Sequence, residues 1–441
     1  MHCLPIDTPT RLGYKKYCSL YSLLILLIVL LMLASCGKQS QGGTAGQSTA
    51  VQGAKGTATN TPAGAFNTLH MITASIGWAE TTNSSPTTIY YTVLRTTDGG
   101  VHWQAVLRCL PYQGSGKGAG YATCPADFRS ATTATVLETQ QSTMNIYHTV
   151  DGGQTWQRST LTGGYLETPP VFVDALHGWA LVTDNYPGYD PGSSYIGKEI
   201  ALFRTVDGGQ SWQKIGSSAA KSQLPTTSDD AYGTAPFTAS TRMAFVSDTT
   251  GWLVSTSYRM DESSFSWLYV THDGGTTWRK VPISFPAGAE AIWTPQFFNA
   301  QDGLLPVYTS GHAPQYTPAT MLYTTHDGGA TWIGTSVPFD VTNAVYIDMA
   351  HAWAAWTGNS NKDTFATTSD GWQHWTKGSI HTSFVNIYGF DFVSPALGWA
   401  IADNVRNIVP DGSSLRSGDI VTLLKTTDGG QTWREIAHSV V

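Results

Sequence analysis

The sequence predicts an all-β fold, a seven-bladed β-propeller of four-stranded antiparallel blades, and three observations carry that prediction. An eight-residue word recurs seven times: TTDGGVHW (96–103), TVDGGQTW (149–156), TVDGGQSW (205–212), THDGGTTW (271–278), THDGGATW (325–332), TSDGWQHW (368–375) and TTDGGQTW (426–433). A second element precedes most copies, as GWA at 77–79, 178–180 and 398–400 and GWL at 251–253, with the weaker forms ATVLE, GLL and AWA at 134–138, 303–305 and 352–354. Charged residues make up only 12% and aromatics also 12%, against about 25% charged in an average domain. Few charges with many aromatics and threonines favour strands, and no sustained helical period follows the first forty residues.

The chain begins with Arg11, Lys15 and Lys16, then an apolar run from Leu20 to Leu33 and the sequence LASC ending at Cys36. A basic segment, a short apolar segment and small residues describe a secretory signal, and the run is short of the ~20 residues a membrane span needs. LASC resembles the bacterial lipobox, which implies cleavage before Cys36 and lipidation of that residue. The expected protein is therefore exported and anchored to the outer side of the cell membrane. Loss of residues 1–35 would remove three basic residues and one acid from a chain of net charge −7, leaving 21 basic against 30 acidic residues. Residues 36–65 are Gly, Ser, Thr, Gln and Ala without periodicity, the composition of a flexible linker.

Residues 66–441 hold the seven units. Their Asp residues, Asp98, Asp151, Asp207, Asp273, Asp327, Asp370 and Asp428, stand 43 to 66 positions apart, and each unit reads as four short strands. The first strand is an alternating segment such as VFVDA, MAFVSD or FDFVS, the second follows GWA, the third runs into the word, and the fourth starts at its Trp. A repeat of about fifty residues with four strands matches a propeller blade. The chain starts with a first strand and ends with a fourth, so no blade is shared and the ring must close by packing between blades one and seven.

Asp-Gly-Gly is hairpin chemistry, because Gly accepts positive φ and the carboxylate accepts bonds from nearby amides. The closing residues Trp103, Trp156, Trp212, Trp278, Trp332, Trp375 and Trp433 offer flat apolar surface for the blade edge. This word resembles the Asp-box, or BNR repeat, Ser/Thr-x-Asp-x-Gly-x-Thr-Trp. Together with GWA, the series is similar to the photosystem II assembly factor-like class of BNR propellers. The resemblance implies a turn of structural use remote from any ligand, and a binding or assembly role. That class meets its client through a basic arginine patch, which this acidic domain lacks. The sixth copy departs from the pattern, with Trp372 at the second glycine and His374 at the hydroxyl. Positive φ strains a Trp, so that turn is expected to lean on Gly371 or to relax.

Cys3 and Cys18 leave with the signal and Cys36 takes the lipid, so Cys109 and Cys124 remain, fifteen positions apart, and an exported setting favours their pairing. Such a disulfide would contribute about 3 kcal/mol in the loop-entropy picture. Long insertions gather between strands two and three and between blades, on the face opposite the repeated turns. They carry the ligand-face candidates Tyr189, Asp190, Tyr258, Arg259, Tyr316 and Arg406, residue types suited to a protein or glycan ligand. No Lys/Arg-rich run appears outside the signal, so a nucleic-acid footprint is missing. Neither a cofactor nor a metal motif is found, and no oligomerisation signal argues against a monomer. A sialidase would need an Arg-Ile-Pro segment and an arginine triad; Arg129 and Arg242 are the only arginines near inner strands. A two-carboxylate glycosidase is the competing class to a non-enzymatic scaffold.

Overall fold

Seven four-stranded antiparallel sheets follow one another along the chain, each built from one of the repeats. The computed structural model describes residues 49–440 apart from 55–56, 86–87, 110–123, 141–142, 163, 167, 185–199, 218–239, 259–263, 284, 286–288, 310–318, 338–342, 357–363, 380–385 and 404–419. Blade one shows the plan: strands Ala65–Met71, Gly77–Ser85, Thr88–Thr96 and Gln104–Arg108 pair in chain order. Blade seven, Asn386–Phe392, Gly398–Asp403, Ile420–Thr426 and Arg434–Val440, repeats it, and its first two strands pack against the first strand of blade one. The architecture is the predicted β-propeller.

Strand one of each blade ends in a large apolar side chain paired with the residue that opens strand two, as in Phe245↔Gly251 and Phe392↔Gly398. The glycine is required there because the ring lies across it. A Cβ at Gly398 would come within 2.4 Å of Phe392. That ring then stacks on the GWA tryptophan of the preceding blade: Phe245 on Trp179 at 3.7 Å, Phe297 on Trp252 at 4.1 Å and Phe392 on Trp353 at 3.7 Å. Two of these indoles donate Nε1–H to the next blade's repeated turn, Trp179 to Gly274 O (2.8 Å) and Trp353 to Gly429 O (3.0 Å). Trp399 of blade seven donates to Gly99 O of blade one at 3.0 Å, so the ring closes through the contact that joins its other blades.

Two blades lack this Trp, and each is repaired differently. In blade two the position is Thr135, and His148 from strand three takes the space, bonded to Thr135 Oγ1 at 3.1 Å and stacked on Phe172 at 4.2 Å. Burial lowers the His148 pKa to about 4, so the stacked ring is neutral imidazole at neutral pH. In blade five the position is Leu304, and Trp372 of blade six fills the same buried cluster with Leu322 and Tyr346. Trp372 stands edge-on to Tyr346 at 5.2 Å, the relation that Trp278, Trp332 and Trp433 keep with their own strand-one Phe at 6.1 Å.

The altered turn therefore neither relaxes nor transfers its strain. Gly371 and Trp372 both keep positive φ, 71° and 73°. A non-Gly residue in that region is strained by about 1–2 kcal/mol. Burying an indole to 4% exposure outweighs that cost at about 25 cal/mol per Å² of apolar surface.

The segment read as a flexible linker is structured in its second half. Thr49–Gln52 pairs antiparallel with Thr155–Arg158, adding a fifth strand to blade two. Gly53 N–H then donates to Gln154 O, Thr59 exchanges two backbone bonds with Trp103, and His438 N–H donates to Asn60 O. An outer strand offers a row of unpaired backbone groups, and this stretch satisfies them. Its small polar composition concealed the pairing. Gly53 fits because it lacks a side chain: a Cβ there would lie 2.1 Å from Gly153 O.

Candidate functional site

The aspartates of the seven repeated words lie in turns between strands three and four. In blade three the Thr205 hydroxyl donates to Asp207 Oδ1 (2.7 Å), Ser211 N–H donates to the same oxygen (2.9 Å) and the Ser211 hydroxyl to Oδ2 (2.5 Å). Where the hydroxyl is replaced, His102 and His374 bring Nδ1 to Oδ2 of Asp98 and Asp370 at 2.6 and 2.7 Å. The Thr331 and Thr432 hydroxyls, followed by their amides, hold Asp327 and Asp428 down at about 2. Carboxylates this fully bonded are ionised and committed to the turn. Of the closing tryptophans, Trp103, Trp278, Trp332 and Trp433 return Nε1–H to the second glycine's carbonyl at 2.9–3.0 Å. Trp156 and Trp212 donate instead to Val106 O and Ser159 Oγ of the preceding blade.

Cys109 and Cys124 are bonded to each other and buried beside Trp78 and Trp156. Tyr258 ends the strand Gly251–Tyr258, paired with Ser264 across the hairpin. Tyr189, Asp190, Arg259, Tyr316, Arg406 and Cys36 lie outside the described residues.

A different set of polar groups converges on the axis. Strand one alternates, so the residue before each blade-facing ring turns away from the blade interface. Around the ring these are His70, Asp127, Val171, Ala244, Gln296, Val345 and Asp391. Asp127, Val171, Ala244 and Gln296 line a cavity of about 460 Å³, together with Arg129, Trp293 and Tyr346. The strand-one positions are polarised around the ring: blades seven, one and two carry Asp391, His70 and Asp127, while blades three, four and six carry Val171, Ala244 and Val345. Of the three titratable side chains, Asp127 is the one that lines the cavity.

Asp391 is 6% exposed, and its carboxylate accepts the Met71 amide across the junction of blades seven and one, with His70 Nδ1 3.8 Å away. Burial raises its pKa to about 6 despite that imidazole and the amide bonds. Glu80, one strand outward, accepts from the Thr68 hydroxyl at 2.9 Å and is pushed to about 7 by burial. Asp127 is also raised by burial, with Arg129 and His70 pulling the other way. Asp127, on the strand Ala126–Phe128, and Arg129, the residue after that strand, both line the cavity, while Phe128 between them is buried against Trp78 (5.5 Å, 5°). Arg129 donates to Phe245 O of blade four at 3.1 Å while remaining exposed. Among the described residues no group of three His, Cys, Asp or Glu side chains is arranged to hold a metal ion.

Sequence reasoning singled out Arg129 but missed His70, Asp127, Asp391 and Trp293. The signal was in the quoted strand-one segments, where the residue before the aromatic is charged in DF (127–128) and DF (391–392) and aliphatic in VF, AF and VY.

No protein-family model matches the chain, and no curated protein matches it in sequence. Some solved structures are similar to the chain. YCF48 bound to a D1 peptide is similar over 83% of this chain and 96% of its own, at 17% identity and a TM-score of 0.42. The polysaccharide lyase Uly1 is similar over 90% and 95%, at 8% identity and a TM-score of 0.46. The GH93 α-L-arabinofuranosidase of Fusarium graminearum in complex with arabinobiose is similar over 85% and 97%, at 9% identity and a TM-score of 0.36. One fold hosts many activities, so function has to be argued from the site.

Proposed function

We propose that the protein is a cell-surface, lipid-anchored propeller that acts as a non-enzymatic binding or assembly scaffold for a protein or glycan ligand. One observation carries the reading: the acids of the repeated turns and Asp391 are spent on holding the turns and a blade junction together. The Asp-box carboxylates are bonded within their turns, and Asp391 caps the Met71 amide at the blade seven–blade one junction. Asp127, the acid that lines the cavity, stands beside a guanidinium. Such a pair binds and orients well, and among the described residues no second carboxylate lines the cavity with it, where glycoside hydrolysis uses two.

The alternative is an extracellular glycoside hydrolase. It is favoured by one feature, the placing of Asp127 and Asp391 within the field of the same imidazole, His70. Exposure of the full chain to a glycan array, with release of reducing sugar followed in parallel, separates the two. Retention without release supports the scaffold. Sugar release abolished by Asp127→Asn would establish the hydrolase. The anchoring half of the proposal is tested by Cys36→Ala, which should free the protein from the membrane fraction; a retained variant would point to an uncleaved signal anchor.

A further inference from the structure

We propose that the central cavity is itself a ligand site, and that it takes a neutral saccharide of one or two rings. The inference rests on the binding-scaffold reading and narrows it to one place and one class of ligand.

The cavity, about 460 Å³, falls within the roughly 300–1,000 Å³ range of small-molecule sites. Its walls come from blades two to six, so they are held by the stacked interfaces that make the ring rigid. Solvent reaches it, because Arg129 and Gln296 on its wall are exposed and Trp293 is partly so.

The chemistry of the wall selects the ligand. Asp127, on the strand Ala126–Phe128, and Arg129, just past its end, both line the cavity, and their charges act on each other. A compensated pair gives no net pull on an ion of either sign. It does offer an acceptor and several donors side by side, which suits hydroxyl groups that donate and accept in turn. Vicinal hydroxyls on a sugar ring present that pattern. One guanidinium nitrogen is already committed to Phe245 O, which fixes the plane of the group, and planar, fixed donors lose little freedom on binding. Trp293 adds a flat apolar surface for the C–H face of a pyranose. Val171, Met243 and Phe245 add apolar surface beside those polar contacts, and Thr294 and Gln296 add further hydrogen-bonding groups to the wall. A peptide would be placed differently: its backbone requires strand edges or a long groove, and this cavity is closed laterally by five blades.

Isothermal titration of the full chain with cellobiose, maltose, lactose and chitobiose, and with glucuronate as the charged counterpart, tests the site. At least one neutral disaccharide should bind in preference to glucuronate. Arg129→Gln and Trp293→Ala should each weaken it about tenfold or more, a loss of about 1.4 kcal/mol, with the melting temperature unchanged. Trp293→Phe, which keeps an aromatic face, should retain most of the binding. Absence of heat with all four sugars, or a preference for glucuronate, overturns the inference. Binding that the Arg129 and Trp293 variants leave intact also overturns it, while the scaffold reading survives. Release of monosaccharide during the titration would instead remove the scaffold reading on which it rests.

Discussion

Aspartates at the turns and aspartates at the axis are the same side chain under opposite electrostatics. At a turn such as that of Asp428, donors from Thr432 and Thr426 pull the carboxyl down to about 2. At the axis, burial pushes Asp391 up to about 6. The repeated, conspicuous acids are thereby structural; of the two unrepeated axial aspartates, Asp127 lines the cavity and Asp391 is buried at the junction of blades seven and one. In a repeat protein, what recurs in every blade serves the blade, and what differs between blades is free to serve a ligand.

The largest expected effect tests the turn side of this contrast. Trp372→Gly restores the common word yet empties the space beside Leu304, and should cost about 3–5 kcal/mol in urea unfolding. Adding Leu304→Trp should recover a good part of it, a coupling that additive sites would not show. Asp207→Ala removes an acceptor of three bonds and should cost about 1–3 kcal/mol, with sugar binding untouched.

Stability against pH separates the two classes by sign. A lowered carboxyl contributes stability that is present above its unfolded value of 3.8 and lost as pH falls toward 2. Asp391 and Glu80 behave oppositely. Their contribution is full below 3.8 and 4.5 and is lost as pH rises through about 6 and 7. The urea midpoint should therefore fall on both sides of a maximum between these limits. Asp391→Asn should flatten the upper limb and leave the acid limb in place.

The blade count, the turn chemistry and the seven-to-one closure were legible in the sequence because they repeat, and repetition amplifies a local signal. The unrepeated substitutions were legible only as departures. Trp372 reads as a damaged turn until Leu304, 68 positions earlier, is seen to leave room for it. His148 likewise looks like an ordinary strand residue until Thr135 is found where a Trp belongs. The TAVQ strand at 49–52 was hidden in a linker composition because its partner, the edge of blade two, is distant in sequence. The GWA tryptophan was visible as a marker, but its bond to the next blade depends on ring geometry. The axial set was the hardest to see, since its members are single residues from separate blades with no spacing in common.

The contrast between turn and axis is tested most directly by measuring melting temperature and disaccharide binding on the same two variants, Asp207→Ala and Asp127→Asn. The turn variant should melt several degrees lower, consistent with a loss of about 1–3 kcal/mol, and bind as the unaltered chain does. Asp127→Asn should melt as the unaltered chain does and bind about tenfold more weakly. If Asp207→Ala loses binding while Asp127→Asn keeps it, the assignment of structure to the turns and recognition to the axis is wrong.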